Sequence, residues 1–248
     1  AGGECVIGVG LSEYVGARED AGIEFSGGKL SGRSLFVIDG KNADAYLLAN
    51  KSGELFIVEA SNPGIEVIEL TTVDKTRTSI ELIFKNADAE LLAGSSDRSV
   101  IEKVLDTGRL MLAADTVGAA QVMLDKSVAY SLERKQFGRL IGSFQAVKHM
   151  CAEMAADLEP CHSMIWHAAH CLDNVPEEAR LMACQTKAHI SEVGKQVSKT
   201  ATEVHGGMGF TDELGLHYWF KRIGLNRQLL GSPELLREEA GKLQGFDQ

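Results

Sequence analysis

The strongest constraint on the fold is a change in the spacing of apolar residues near Ser95. Before it, short apolar or alternating runs are broken by glycine, asparagine and proline, as in "IEFSGGKLSGRSLFVID", which is typical of strands joined by tight turns. After it, apolar residues recur at helical spacing, with many Ala, Leu and Met. We therefore predict an antiparallel β-domain over residues 1–93 and a helical bundle over residues 94–248.

The helical part is expected to contain three long helices and two short ones. The first runs from Ser95 through "LERK", the second from Phe144 to Leu172, and the third opens at Pro176 with two glutamates, as helix N-termini favour. The stretches "ELGLHYWFKRIGLNRQLL" and "PELLREEAGKL" supply the short ones. The fold class is thus α+β, a sheet domain followed by a helical domain.

Composition and charge exclude several classes of protein. A net charge of −10 and the absence of a Lys/Arg run argue against nucleic acid as a partner. No apolar run approaches the roughly 20 residues of a membrane span, and the N-terminus lacks the features of a secretory signal. We therefore expect a cytoplasmic protein, and a first residue that is Ala rather than Met suggests a processed product or a fragment.

Two stretches resemble ligand motifs without meeting their requirements. In "IGVGLSEYVG" the third glycine is misplaced for a dinucleotide site, so a strand-to-turn role is expected. In "CHSMIWHAAHC", His162, His167 and His170 lie near two cysteines, but no single helix face collects four ligands. We predict no metal site there, and we expect the five cysteines, which lack CxxC spacing, to be reduced, buried thiols.

Three further motifs are informative together. "LERKQFGR", Leu132–Arg139, gathers three cations around an aromatic residue and ends on glycine, which a basic helix C-terminus with a glycine cap would explain on its own. "SFQAVKH" follows directly, and "EVHGGMGFTDELGLHYWFKR" follows one helical hairpin later. The combination is far more specific than any of its parts.

In this combination the chain resembles the acyl-CoA dehydrogenase family of flavoenzymes, in its middle β-domain and C-terminal helical domain. The resemblance covers nearly the whole chain and is strongest from Leu105 to Lys221. It implies FAD bound at a subunit interface, and α,β-dehydrogenation of an acyl-CoA thioester with a carboxylate as base. The implied partners are the acyl-CoA, an electron-transfer flavoprotein, and a second copy or a family paralogue in a dimer or tetramer.

The resemblance also implies ligand-binding residues. Arg134 and Phe137 would contact the diphosphate and adenine end of FAD, and Gln145 would add a polar contact. Asp106 and Arg109 would hold the CoA and acyl portion, although Arg109 could equally be a surface cation. A last group would approach the FAD of the neighbouring subunit, with Glu203 where family members often have Gln: Glu203, Val204, His205, Gly206 and Gly207.

The family's catalytic base is missing at both of its known positions. The usual position falls on Leu230, and the alternative, directly before the substrate arginine, falls on Gly108. Glu234 lies one turn further on and would serve only if the local backbone were remodelled. Segments of the β-domain that touch the flavin in the family correspond to "IGVGLSE", which keeps a hydroxyl at Ser12, and "LFVID". The family's N-terminal helical domain is expected to be absent.

These departures lead to three hypotheses. The chain is a base-less partner subunit that lends FAD contacts to a catalytic paralogue, or a self-sufficient but atypical dehydrogenase or a fragment of one, or a flavin-free scaffold subunit. Retained cofactor residues without a base favour the first hypothesis.

Overall fold

The computed structural model of the protein describes residues 3–15 and 21–246, without the side chains of Ser12 and Glu13. The chain divides into two compact units, Ala1–Leu105 and Asp106–Gln248. A sheet occupies the first unit and helices the second, as predicted. The hydroxyl of Ser12, to which the sequence analysis gives a role, lies outside the described residues.

The first unit is built on one sheet, of eight strands among the residues described. β2 pairs with β3, and the other strands follow the order β6-β7-β3-β1-β4-β5-β8. Most neighbours are antiparallel, but β1 pairs with β4 in parallel, which strand-and-turn patterning did not predict. The short helix α1, Ser12–Val15, follows β1. The strands are β1 Ile7–Gly10, β2 Gly22–Ser26, β3 Lys29–Ile38, β4 Ala45–Ala49, β5 Leu55–Glu59, β6 Ile65–Leu70, β7 Ser79–Asp88 and β8 Glu90–Leu91.

Apolar side chains are frequent in the strands, and consecutive residues are buried in β4, β5 and β7, so side chains on both faces of these strands are covered. Leu30, Leu48, Phe56 and Leu82 are completely buried, and the rings of Phe25 and Phe56 pack 4.9 Å apart. This apolar layer holds the first unit together.

The second unit contains five helices in its described residues, the first of which begins in the sheet unit. The predicted count of three long and two short helices is confirmed. Pro176 begins the third long helix with Glu177 and Glu178 in its first turn, and Ser232 caps the last helix by accepting a hydrogen bond from the Leu235 amide. The helices are α2 Arg98–Glu133, α3 Gln145–Asn174, α4 Pro176–His205, α5 Leu216–Gln228 and α6 Pro233–Leu243.

Helix α4 is central to the second unit, because it packs against α3, α5 and α6. Its buried face is rich in Ala, Ser, Thr and Gly, whose small side chains allow close approach. At Gly194 an added Cβ would lie 2.5 Å from Cγ2 of Thr116 on α2. The main apolar cluster of the unit contains residues from each of the helices α2, α3, α4 and α5. Among them are Ala120, Met123, Leu158, Cys161, Ile190, Val197, Ala201 and Ile223.

The cysteines match the predicted buried thiols only in part. Cys161, Cys171 and Cys184 are buried, but Cys5 is exposed in the segment before β1, where no helix encloses it.

Among the described residues, no helix combines the length and apolar character that a membrane span requires.

The contact between α2 and α4 gives a paired prediction about stability. Gly194→Ala should lower the free energy of unfolding by roughly 1 kcal/mol or more, since overpacking costs about 1–3 kcal/mol and outweighs the helical propensity gained. Thr116 resists displacement because its hydroxyl donates to Leu112 O and accepts from Asn226. Gly118→Ala, on an exposed position of α2 with open space around it, should raise stability by up to about 1 kcal/mol.

Urea unfolding of both variants against the native chain measures this difference. Equal changes in the two variants would contradict the packing that we describe at Gly194.

Candidate functional site

The "LERKQFGR" stretch forms a β-hairpin and not a glycine-capped helix end. Helix α2 ends at Glu133, and the strands β9, Lys135–Gln136, and β10, Arg139–Leu140, pair with each other. The two turn residues Phe137 and Gly138 have φ of 52° and 77°, the left-handed values that a type I′ turn requires at both central positions. The turn leaves Phe137 92% exposed.

The two polar residues predicted to contact FAD near this hairpin are both exposed. The Arg134 guanidinium makes no hydrogen bond or ion pair with any other described residue. Gln145 begins α3, and its Nε2 lies 2.6 Å from Nε2 of His149. Arg139 stacks on the ring of Phe144 at 3.8 Å. The hairpin therefore presents an aromatic ring and an uncommitted cation on one short segment.

The end of α4 divides the predicted glycine-rich contact into exposed and buried residues. Glu203, Gly206 and Gly207 are exposed, whereas Val204 and His205 are buried. The His205 Nδ1 lies 2.7 Å from Ala201 O, and its ring packs 4.7 Å from that of Tyr130, one turn before Arg134. The imidazole is therefore part of the packing between α2 and α4, and its buried Nε2 has no hydrogen-bond partner among the described residues.

The two glycines differ in what the fold demands of them. Gly206 has φ 57° and ψ −139°, a conformation that only glycine adopts readily. Gly207 is not left-handed, and a Cβ added there would meet no described atom within 4 Å. Local structure therefore explains the glycine at 206 but not the one at 207.

The two positions that the resemblance assigns to a base meet in space. Leu230 lies in the turn between α5 and α6, with φ 55°, which is unusual for a bulky residue. A Cβ added at Gly108 on α2 would lie 2.6 Å from Cδ1 of Leu230. The leucine side chain thus fills the space into which a side chain at position 108 would point, and neither position offers a proton acceptor.

Arg109 is buried, so the alternative that it is a surface cation is wrong. It is 2% exposed, and its guanidinium contacts Asp106 at 3.1 Å, Glu239 at 2.9 Å and the carbonyl oxygen of Leu230 at 3.1 Å. Arg180 pairs with the same two carboxylates. The structure brings the predicted substrate residues Asp106 and Arg109 together, but their charges are already paired within the chain.

Burial governs the acid in this network. It raises the pKa of Asp106 above its ordinary value, and the charges of Arg180 and Arg109 oppose the rise. Glu239 and Arg180 were not singled out in the sequence, because neither belongs to a motif and both are distant from Asp106 along the chain.

Lys187 on α4 is a second buried cation that the sequence analysis missed. It is 1% exposed, and its Nζ donates to the carbonyl oxygens of Gly231 at 3.0 Å and Arg227 at 3.4 Å. Burial, together with the positive charges of Arg109 and Arg227, lowers its pKa to about 7. The signal that could have found it is a lysine among small residues, "ACQTKAH", on the inward face of a helix.

Glu234, the weak substitute for a base, is held in its charged form. Hydrogen bonds from its own backbone amide, then from Ser232 and from Arg227, lower its pKa to about 2. Its side chain is largely exposed and pairs with Arg227 at 2.6 Å. A carboxylate so well stabilised in its charged form is a poor proton acceptor.

Comparison with known proteins places this arrangement in a family. The family described as "Acyl-CoA dehydrogenase, C-terminal domain" matches residues 98–243. The chain belongs to the acyl-CoA dehydrogenase family. The homologues are FAD-dependent flavoproteins, and they include members associated with electron-transfer flavoprotein.

Three relatives illustrate the range of similarity. The caffeyl-CoA reductase-Etf complex subunit CarC of Acetobacterium woodii is 30% identical over 74% of this chain and 52% of its own length. The acyl-CoA dehydrogenase IpdE2 of Mycolicibacterium smegmatis is 36% identical over 56% of this chain and 42% of its own. A solved structure of the Tcur3481-Tcur3483 steroid ACAD superposes with a TM-score of 0.84 at 26% identity, covering 97% of this chain and 67% of that one. The chain thus spans about half the length of the curated relatives.

The depressed pKa of Lys187 predicts a particular dependence of stability on pH. Between about pH 7 and the ordinary lysine pKa of 10.5, the unfolded chain binds a proton at this position that the folded chain has lost. The unfolding free energy should therefore rise with pH in this window, by up to about 1.4 kcal/mol per unit from this group. Lys187→Met removes the titrating group and should lack this rise.

Urea unfolding of the native chain and of Lys187→Met at pH 7, 8 and 9 tests this expectation, because other groups cancel in the difference. Parallel pH profiles would show that Lys187 stays charged when buried.

Proposed function

We propose that this chain is a base-less subunit of an acyl-CoA dehydrogenase complex, which contributes contacts to a shared FAD while a catalytic paralogue supplies the proton acceptor. The observation that carries the proposal is the meeting of Leu230 and Gly108, because both positions for a base converge on one place, and that place holds an aliphatic side chain. Arg134, Phe137, Gln145 and the exposed residues at the end of α4 would hold the cofactor.

The residues present fit an FAD molecule. Arg134 is exposed, and its guanidinium has no partner among the described residues. A guanidinium provides a fork of donors that suits phosphate oxygens. Packing within the chain does not require glycine at position 207, because an added Cβ would meet no described atom within 4 Å. A backbone without a side chain at this position can approach a rigid ligand closely. Glu203 would be placed best against a donor group of the ligand or of a partner, away from the diphosphate. When bound, FAD accepts the hydride in this family.

The predicted substrate residues Asp106 and Arg109 have a structural role in this proposal. Arg109, together with Lys187, donates to consecutive carbonyl groups, those of Leu230 and Gly231. They would thus hold the turn between α5 and α6 in place, and Leu230 would supply an apolar wall near the reacting carbons. Asp106 would balance the charge of Arg109 and would not need to contact CoA itself.

The names of two similar proteins support a complex of unlike chains. CarC is named as a subunit of a reductase complex with an electron-transfer flavoprotein, and the steroid ACAD carries a name that joins two designations. We propose that this chain assembles in the same manner with a paralogue, acts on an acyl-CoA, and passes electrons to an electron-transfer flavoprotein.

The proposal predicts that the chain alone does not oxidise acyl-CoA. The purified chain, supplied with FAD, an acyl-CoA and an artificial electron acceptor, should show no oxidation above the rate without protein, since it has no group to remove the α-proton. Dye reduction measured across short-chain, long-chain and ring-bearing acyl-CoAs tests this. Robust turnover with any of them would favour the self-sufficient dehydrogenase instead.

The second prediction concerns flavin binding. Arg134→Ala should lower the FAD content of the complex assembled with its paralogue, measured as flavin absorbance per protein, because the diphosphate loses a charged donor. Lys135→Ala is the matched control, an adjacent exposed cation to which no flavin contact is assigned. Equal flavin content in the native and Arg134→Ala complexes would count against the assigned contact and leave the scaffold hypothesis.

A further inference from the structure

One cluster of potential metal ligands lies on the hairpin between α3 and α4. His167 and Cys171 are one turn apart on α3, and Glu178 is in the first turn of α4. One ligand atom from each lies within 4.8 Å of the others, and Cys171 Sγ is 3.8 Å from His167 Nε2. A metal site was not predicted here from the sequence, because α3 alone does not supply enough ligands on one face. The third ligand comes from the next helix.

We propose that His167, Cys171 and Glu178 bind a zinc ion. A thiolate, an imidazole and a carboxylate are the ligands that Zn²⁺ takes in proteins, and three of them leave a fourth tetrahedral position for water or a group from outside the chain. Zn–S and Zn–N bonds of ordinary length, about 2.3 and 2.0 Å, hold sulfur and nitrogen about 3.6 Å apart. The separation of 3.8 Å in the ligand-free arrangement is close to this value.

The hairpin makes the site rigid at its base and open above. Only Val175 separates the end of α3 from the start of α4, so the relative position of the two helices is fixed beside the ligands. Cys171 is completely buried, while His167 and Glu178 are exposed. An ion from solvent would therefore approach the buried sulfur between two exposed side chains. Rotations of the imidazole and of the carboxylate would complete the coordination.

The local charge favours a cation. Glu177 and Glu178 both lie in the first turn of α4, so two negative charges accompany the ligand set. A divalent cation bound there would offset these charges, and the thiol would release its proton to solvent on binding. The site does not depend on FAD or on the partner-subunit role.

The test uses the whole 248-residue chain with Cys5→Ser as background, because Cys5 is an exposed thiol that could bind metal by itself. Calorimetric titration with Zn²⁺ should show one strong site per chain. Titration with Co²⁺ should produce a thiolate-to-cobalt charge-transfer band and the visible absorption of tetrahedral cobalt. The band reports on Cys171 without a substitution in the core.

Two pairs of variants locate the site. His167→Gln and Glu178→Gln should each weaken Zn²⁺ binding roughly 10-fold or more, since even partners outside the first coordination shell contribute 10–100-fold. His170→Gln and Glu177→Gln, exposed neighbours of the same types, should leave it within about 2-fold.

All four substitutions are at exposed positions, and circular dichroism should confirm that each variant is folded. Absence of Zn²⁺ binding, absence of the charge-transfer band, or equal affinities in the two pairs would each overturn the proposal. In that case the His167–Cys171 contact is a simple hydrogen bond.

Discussion

Two buried cations that donate to consecutive backbone carbonyls determine the shape of the site. Arg109 from α2 donates to Leu230 O, and Lys187 from α4 donates to Gly231 O. Leu230 has a left-handed backbone, which costs a bulky residue about 1–3 kcal/mol and persists only where the surrounding structure enforces it. These contacts enforce it, and they connect α2, α4 and the start of α6 through one turn.

The two cations are balanced in different ways. Arg109 has the carboxylates of Asp106 and Glu239, so a charged guanidinium can remain buried. Lys187 has carbonyl oxygens as its acceptors and two arginines as neighbouring charges, and its pKa falls to about 7. The turn is thus held by one permanent charge and one amine that can be neutral. Both cations contact the backbone of this turn, and leucine at position 230 places no reacting side chain there.

Much of this was accessible from sequence, because the relevant signals are local. The change of period near Ser95, the proline and glutamates at the start of α4, and the motif spacing predicted the sheet, the helices and the family. The parallel pairing of β1 with β4 was not predictable, since it joins segments that turn signals do not connect. The hairpin at Phe137 was not predicted, because a glycine after a basic helix end is equally compatible with a helix cap.

The site was predictable only in its motif residues. The register past the glycine-rich stretch located Leu230, but nothing local indicates that Glu239, Arg180 and Lys187 converge on the same turn. The metal-ligand set was missed for the same reason, because Glu178 is on another helix from His167 and Cys171. Contacts between distant segments depend on how α2, α4 and α6 pack, and spacing within one helix carries no information about them.

The central claim is that this chain holds a well-formed turn at the base position without a base. It is tested most directly by exchange of the α-proton of an acyl-CoA in D₂O, followed by NMR in the presence of the chain and FAD. This measurement detects proton removal alone, whether or not electrons reach an acceptor. The account predicts exchange no faster than in buffer. Exchange accelerated by the native chain would contradict it.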